Sequence, residues 1–244
     1  MTRAMTHRMR VAGGLAVVVL LAATTAATAA TAPAHGQAVP ASQQLAVLNH
    51  DTEAFNKPSR SSGSAAEVGE VRPITGERTV LPVVASTTAG GEQWLEVLLP
   101  GRPNSHTGWI EANIVTPTVT GWHIVVSLGT RKVTVYDNGR LARTFLAVVG
   151  KPSTPTPTGN FFVEETVPLG AAASGAPFAL ALSARSNALR TFDGGPGQVA
   201  LHGVANIGGV AGTAVSHGCV RLQTPDIAWL GAHISSGVPV TITA

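Results

Sequence analysis

Apolar residues along the chain form one continuous block near the start and then, after a long polar interval, short alternating runs. The block spans Val11 to Ala23 and contains Val17-Val18-Val19-Leu20-Leu21. From 30 to 69 no apolar period is sustained. Ala, Ser, Gln and Pro dominate around Ser59-Arg60-Ser61-Ser62-Gly63-Ser64, which predicts a flexible linker with at most a helical turn over Gln43 to Leu48. From Glu70 the pattern turns β-like. Thr79 to Val84, Trp94 to Leu99 and Gly108-Trp109-Ile110 are separated by turn residues at Gly90-Gly91 and Pro100 to Asn104. Alternation sends Trp94, Glu96 and Leu98 to one face, and Leu95 and Val97 to the other. The Thr/Pro stretch Thr116 to Gly121 predicts a domain boundary.

Beyond it, His123 to Leu128 and Lys132 to Tyr136 read as a hairpin, and Asp137-Asn138-Gly139-Arg140 as a second tight turn into Leu141 to Val149. Lys151 to Gly159 holds three prolines and cannot be a central strand, so it predicts an extended loop leading into Asn160 to Glu164. Pro168 to Ala176 is small and flexible, either a lid over a site or a plain surface loop. Phe178 to Ser183 and Gln198 to His202 predict further strands. One helix follows, with Thr224 as cap, Pro225 and Asp226 in its first turn, Ile227, Leu230 and Ile234 as its buried stripe, and Gly237 just past its end. Pro239 to Thr243 closes as a strand. The fold class is therefore mainly β with one C-terminal helix.

Charge alters this picture only at the N-terminus. The chain carries 16 Lys and Arg against 13 Asp and Glu. Arg3, Arg8 and Arg10 account for the excess (16 − 3 = 13), so the remainder is neutral and gives no reason to expect nucleic acid as a partner. Those arginines, the apolar block and Ala27-Thr28-Ala29 form the three parts of a secretory signal over 1–29. An uncleaved leader would be the one contact with a membrane. In either case the rest is exported to the cell envelope or beyond it.

Export sharpens the meaning of the single cysteine. Cys219 cannot form an internal disulfide, so it is inert and buried, paired with another chain, or kept for its chemistry. It lies in Ser216-His217-Gly218-Cys219-Val220-Arg221-Leu222, and His202-Gly203 lies upstream across the glycine-rich 207–212. A thiolate needs a base. His217, two residues from Cys219 on one extended segment, rarely reaches hydrogen-bond distance, whereas His202 on another strand can approach from across the site. Its other ring nitrogen has a backbone carbonyl as a natural partner. Amides around Gly218 and Cys219 are natural oxyanion donors. Arg221 has two readings, holding a substrate carboxylate or bracing the site. A zinc site of His202, His217 and Cys219 remains an alternative.

Two resemblances add to this. The "WLEVLLPGR…GWI" pattern resembles a small bacterial SH3-like barrel over 70–117, which implies wall-peptide binding or structural support. "HG…SHGCVRL", preceded by "TPTGNFFV", resembles the catalytic domain of the L,D-transpeptidases, cell-wall cross-linking enzymes, over 121–244. The resemblance implies a β-rich domain with a lid. It implies that Cys219 is acylated by a peptidoglycan stem peptide and that His202 activates it, oriented by the Gly203 carbonyl. It also implies that His217 shapes the site and that the Gly218 and Cys219 amides form the oxyanion hole. Ser216 and Arg221 are themselves expected to be substrate-binding residues. No cofactor or metal is implied, and carbapenems are expected to acylate Cys219. Val204 departs from the family pattern, where a hydroxyl residue is frequent. The rival class is a wall-binding protein whose catalytic domain is vestigial.

Overall fold

Seven strands from the first half of the chain pair into one sheet in a computed structural model that describes Met1, residues 39–192 and residues 194–244. They are β1 (Gln43–Leu48), β2 (Thr52–Phe55), β3 (Ser64–Val68), β4 (Val80–Ala89), β5 (Glu92–Leu98), β6 (Thr107–Glu111) and β7 (Val115–Thr120), in the order β3-β2-β6-β5-β4-β1-β7. The expected leader, 1–29, and the first part of the expected linker lie outside the described residues apart from Met1. Among the described residues no helix is long and apolar enough to cross a membrane.

The sheet corrects three expectations. Gln43 to Leu48 is a strand, paired to β4 on one side and β7 on the other, with Ala46 and Leu48 fully buried. The polar spacer reading therefore fails from Gln43 onward, because one short apolar run, Leu45 to Leu48, suffices when neighbouring strands cover it. The sheet accordingly starts well before residue 70 and runs past 117. The Thr/Pro stretch is itself β7, whose Pro117 faces Ala46. It is an edge strand, where a missing N–H costs little.

The second half supplies β8 (Trp122–Ser127), β9 (Lys132–Asp137), β10 (Arg140–Leu146), β11 (Val149–Gly150), β12 (Gly159–Pro168), β13 (Phe178–Arg185), β14 (Gln198–Gly203), β15 (Ala214–Ser216), β16 (Val220–Leu222), α1 (Thr224–His233) and β17 (Pro239–Thr243). Eight of these strands form a sheet in the order β10-β9-β8-β17-β12-β13-β14-β16, and β11 pairs with β15 separately. The turn at Asn138-Gly139 has φ of 50° and 73°, as its sequence predicts. In α1 Ile227 and Leu230 are buried, and the helix packs on β13 and β14. Its details differ from expectation: Gln223 is the cap residue and Thr224 is already helical, while Ile234, not a glycine, closes the C-terminus.

Strand β12 joins the two halves. Phe161 and Val163 enter the core of the larger sheet with Ile124, Val133, Leu180 and Leu201. Phe162, facing the opposite way, enters the N-terminal core with Leu48, Leu81 and Ile110. A register shift between Val163 and Glu165 then turns two consecutive carboxylates toward the N-terminal segment. Glu164, with no side-chain exposure, is paired to Arg72 and, at 2.9 Å, to Arg185. Glu165 accepts from the Thr75 amide at 2.9 Å and its hydroxyl at 3.0 Å. A buried carboxylate needs such partners to remain charged.

Candidate active site

The nucleophile candidate sits just before β16, and the base candidate sits on the parallel neighbour β14. The register sets Leu201 beside Val220 and His202 beside Arg221. Cys219, one residue earlier, is thus level with Ala200 and diagonal to His202, roughly 8 Å apart at Cα by sheet spacing. Strand β14 alternates half-buried and buried residues, with Ala200 and His202 on its half-open side and Leu201 in the core. Cys219 is half-buried.

One ring nitrogen of His202 is committed. Nδ1 lies 2.8 Å from the Gly203 carbonyl, which fixes the proton there and leaves the Nε2 lone pair as the acceptor. Burial pushes the His202 pKa down, opposed by that hydrogen bond and reinforced by the charge of Arg221. Burial pushes the Cys219 thiol up, opposed by a hydrogen bond from the Ala200 backbone and by Arg221. The resting pair at neutral pH is therefore a neutral imidazole and a neutral thiol. That arrangement suits general-base catalysis rather than a preformed ion pair.

The segment Pro168 to Ala176, for which a lid and a plain surface loop were both expected, instead packs its end against His202. The Gly203 amide donates to the Gly175 carbonyl at 2.7 Å, and Gly175 donates to Ala205 at 2.8 Å. Gly175 has φ +89°, and a Cβ there would stand 2.6 Å from His202 Nδ1. Only glycine lets this backbone lie flush against the imidazole.

The turn carrying Cys219 is built by Ser216. Its side chain is completely buried, and its hydroxyl donates to the Cys219 carbonyl at 2.6 Å and accepts from the Gly218 amide at 3.1 Å. Two expectations are corrected by this. Ser216 does not lie on the substrate side, because its hydroxyl is spent within the turn. The Gly218 amide is likewise engaged and is not a free oxyanion donor. The proline-rich loop supports the turn from below, with the Lys151 amide at 3.0 Å and the Thr154 hydroxyl at 3.2 Å from the Ser216 carbonyl.

His217 is placed apart from this pair. It is exposed, stacks on Phe192 at 5.9 Å between ring centroids, and has Nε2 3.4 Å from Lys151 Nζ. Among the described residues no group of three or more His, Cys, Asp or Glu is placed to hold a metal ion, so His202, His217 and Cys219 do not converge as zinc ligands. Arg221 is 8% exposed and its Nη1 donates to the Gly208 carbonyl at 3.1 Å, bracing the glycine-rich connection. Its Nε is buried without a partner among the described residues, so the structure favours the bracing reading of Arg221 over a contact from Nε to a substrate carboxylate. Sequence reasoning missed Phe192, Lys151 and Gly175, which come to the site only through tertiary packing.

The chain is similar to known proteins over this half. The model of the YkuD family, the L,D-transpeptidase catalytic domain, matches residues 121–242, half of the 244-residue chain. The YkuD protein of Bacillus subtilis is 30% identical over 162 residues, covering 64% of this chain and 80% of its own. L,D-transpeptidase 1 of Mycobacterium tuberculosis is 27% identical over 218 residues, covering 75% of this chain and 82% of its own. A crystal structure of an L,D-transpeptidase from the same species covers 68% of this chain and 90% of its own, at 17% identity and a TM-score of 0.44. Because the family model matches half of the chain, with His202 and Cys219 both inside the matched residues, the chain belongs to the YkuD-type L,D-transpeptidase family.

Proposed function

We propose that the protein is an exported L,D-transpeptidase that cross-links peptidoglycan through a thioester on Cys219. His202 Nε2 takes the thiol proton as Sγ attacks the carbonyl carbon of the third residue of a stem tetrapeptide. The Cys219 amide, rather than the engaged Gly218 amide, steadies the oxyanion. His202 then returns the proton to the departing D-alanine amine, which leaves the acyl group on sulfur. An acceptor amine attacks the thioester, its proton passes to His202, and the thiol is regenerated. If water replaces the amine, the same intermediate gives a carboxypeptidase product.

The observation that supports this reading best is the locked tautomer of His202, with Nδ1 on the Gly203 carbonyl and Nε2 left for a thiol on the next strand. The basic, apolar and small-residue parts of the leader support export to the cell envelope. We read the N-terminal sheet as an SH3-like module, extended by β1 to β3 and β7, that supports the enzyme. The test is intact-protein mass spectrometry with a carbapenem. One adduct on Cys219, absent from Cys219→Ala, is the expected result. Undiminished binding to isolated cell wall without any adduct would instead favour a wall-binding protein.

A further inference from the structure

The loop from Ser186 to Gly197 connects β13 to β14 and forms one side of the site. Its neck is closed by the Ser186 amide on the Gly197 carbonyl at 2.8 Å, and its tip by reciprocal bonds between Phe192 and Gly195 at 3.0 and 2.9 Å. Such a loop, its ends joined by hydrogen bonds, is a compact surface loop. It meets the nucleophile turn at both levels. At the neck, Ser186 Oγ lies 4.0 Å from where a Gly218 Cβ would be. At the tip, Phe192, 52% exposed, stacks on His217. His217 is two residues from Cys219, at most about 7 Å along the backbone. The exposed Phe192 ring thus stands beside the turn that carries the thiol, on a surface a substrate can reach.

What holds this loop comes from the other half of the chain. Between β5 and β6, Arg102 reaches across the neck, with Nη2 donating to the Ser186 carbonyl at 2.6 Å and Nη1 to the Pro196 carbonyl at 2.9 Å. One planar guanidinium thus ties both ends of the loop, a geometry that a lysine cannot reproduce. Two residues on, Asn104 pairs with the Arg185 backbone in both directions, each bond 2.8 Å. The Gly101 amide adds a bond to Ser183 at 3.1 Å.

We propose that Arg102, with Asn104, is a positioning residue for the transpeptidase site, so that the N-terminal sheet supplies part of the active-site scaffold. This rests on the functional reading above. Arg102 touches neither Cys219 nor His202. It acts by fixing the loop that sets Phe192 against His217.

The experiment uses the full chain with Arg102→Ala, Arg102→Lys and Asn104→Ala. It combines the rate of carbapenem acylation, alkylation of Cys219 by iodoacetamide, and hydrogen exchange read over peptides. Arg102→Ala is expected to slow acylation by about ten- to a hundredfold, the scale of small misplacements remote from the chemistry. It should leave alkylation unchanged within about twofold, since a small reagent needs no wall, and raise exchange over 186–197 while β14 stays protected. Arg102→Lys should fall between it and the wild type, and Asn104→Ala should repeat the pattern more weakly. Wild-type acylation in Arg102→Ala, or slower acylation without faster exchange in 186–197, overturns the proposal. A wild-type chain that takes no carbapenem sinks the functional reading instead, and the exchange over 186–197 then decides the positioning role alone.

Discussion

Two histidines flank Cys219, and the molecule treats them differently. His202 stands near the C-terminal end of β14 with a carbonyl on one ring nitrogen and the Gly175 backbone against the imidazole. His217 stands on a turn, exposed, between an aromatic ring and an ammonium group. In sequence His217 is much the nearer to the thiol. In space the strand partner has the fixed tautomer and the free acceptor. Proton transfer is governed by orientation and protonation state, and distance along the chain supplies neither. Replacing each in turn is the largest way to break the comparison. His202→Ala is expected to reduce acylation of Cys219 by about 10² to 10⁴ fold. His217→Ala should cost far less, through substrate contact alone. Equal losses in single-turnover acylation assays would mean that His217 is a second base.

The supports of the two sides differ in the same way. Gly175→Ala drives a Cβ against His202 Nδ1 and places alanine at φ +89°. The left-handed backbone alone costs about 1–2 kcal/mol, and the displaced imidazole should slow acylation beyond what that loss of stability explains. Ser216→Ala removes the acceptor of the Gly218 amide and a donor to the Cys219 carbonyl. Leaving a buried amide without a partner costs about 1–3 kcal/mol. It also frees the turn to relax, so the thermal midpoint and the acylation rate should fall together. A Gly175→Ala protein that melts lower but acylates normally would show that the imidazole does not depend on that wall.

These contrasts also show what sequence can and cannot reveal. The hairpin at Asn138-Gly139, the buried stripe of α1 and the separation of His202 from Cys219 onto different strands were readable because each depends on local residue types and their period. Strand β1 was legible only as the apolar run Leu45-Ala46-Val47-Leu48, read as a helical turn, and β2 and β3 not at all, because Thr52-Glu53-Ala54-Phe55 and Ser64-Ala65-Ala66-Glu67-Val68 carry little apolar signal. They become strands only through pairing. The engagement of the Gly218 amide was hidden for a similar reason, since a serine two residues before a glycine reads equally well as a substrate contact. Arg102 and Phe192 carry no local signal at all. Their placement depends on how the β5–β6 connection meets the end of β13.

The finest distinction between the histidines is in their pH behaviour. In the proposed mechanism acylation needs His202 neutral, so the rate is expected to fall as pH drops through its pKa. Burial holds that pKa below the ordinary value of about 6.5. The acid limb of the acylation profile should therefore lie below that value, and His217→Ala should leave it in place. Arg221 adds a smaller push in the same direction on His202, and its charge also lowers the thiol pKa. Arg221→Met removes both influences, so the acid limb should move up and alkylation by iodoacetamide should require higher pH. The two shifts have the same sign because one cation opposes imidazolium and favours thiolate. A profile in which Arg221→Met moves neither limb, while His217→Ala moves the acid one, would assign the base to the turn and reverse the comparison.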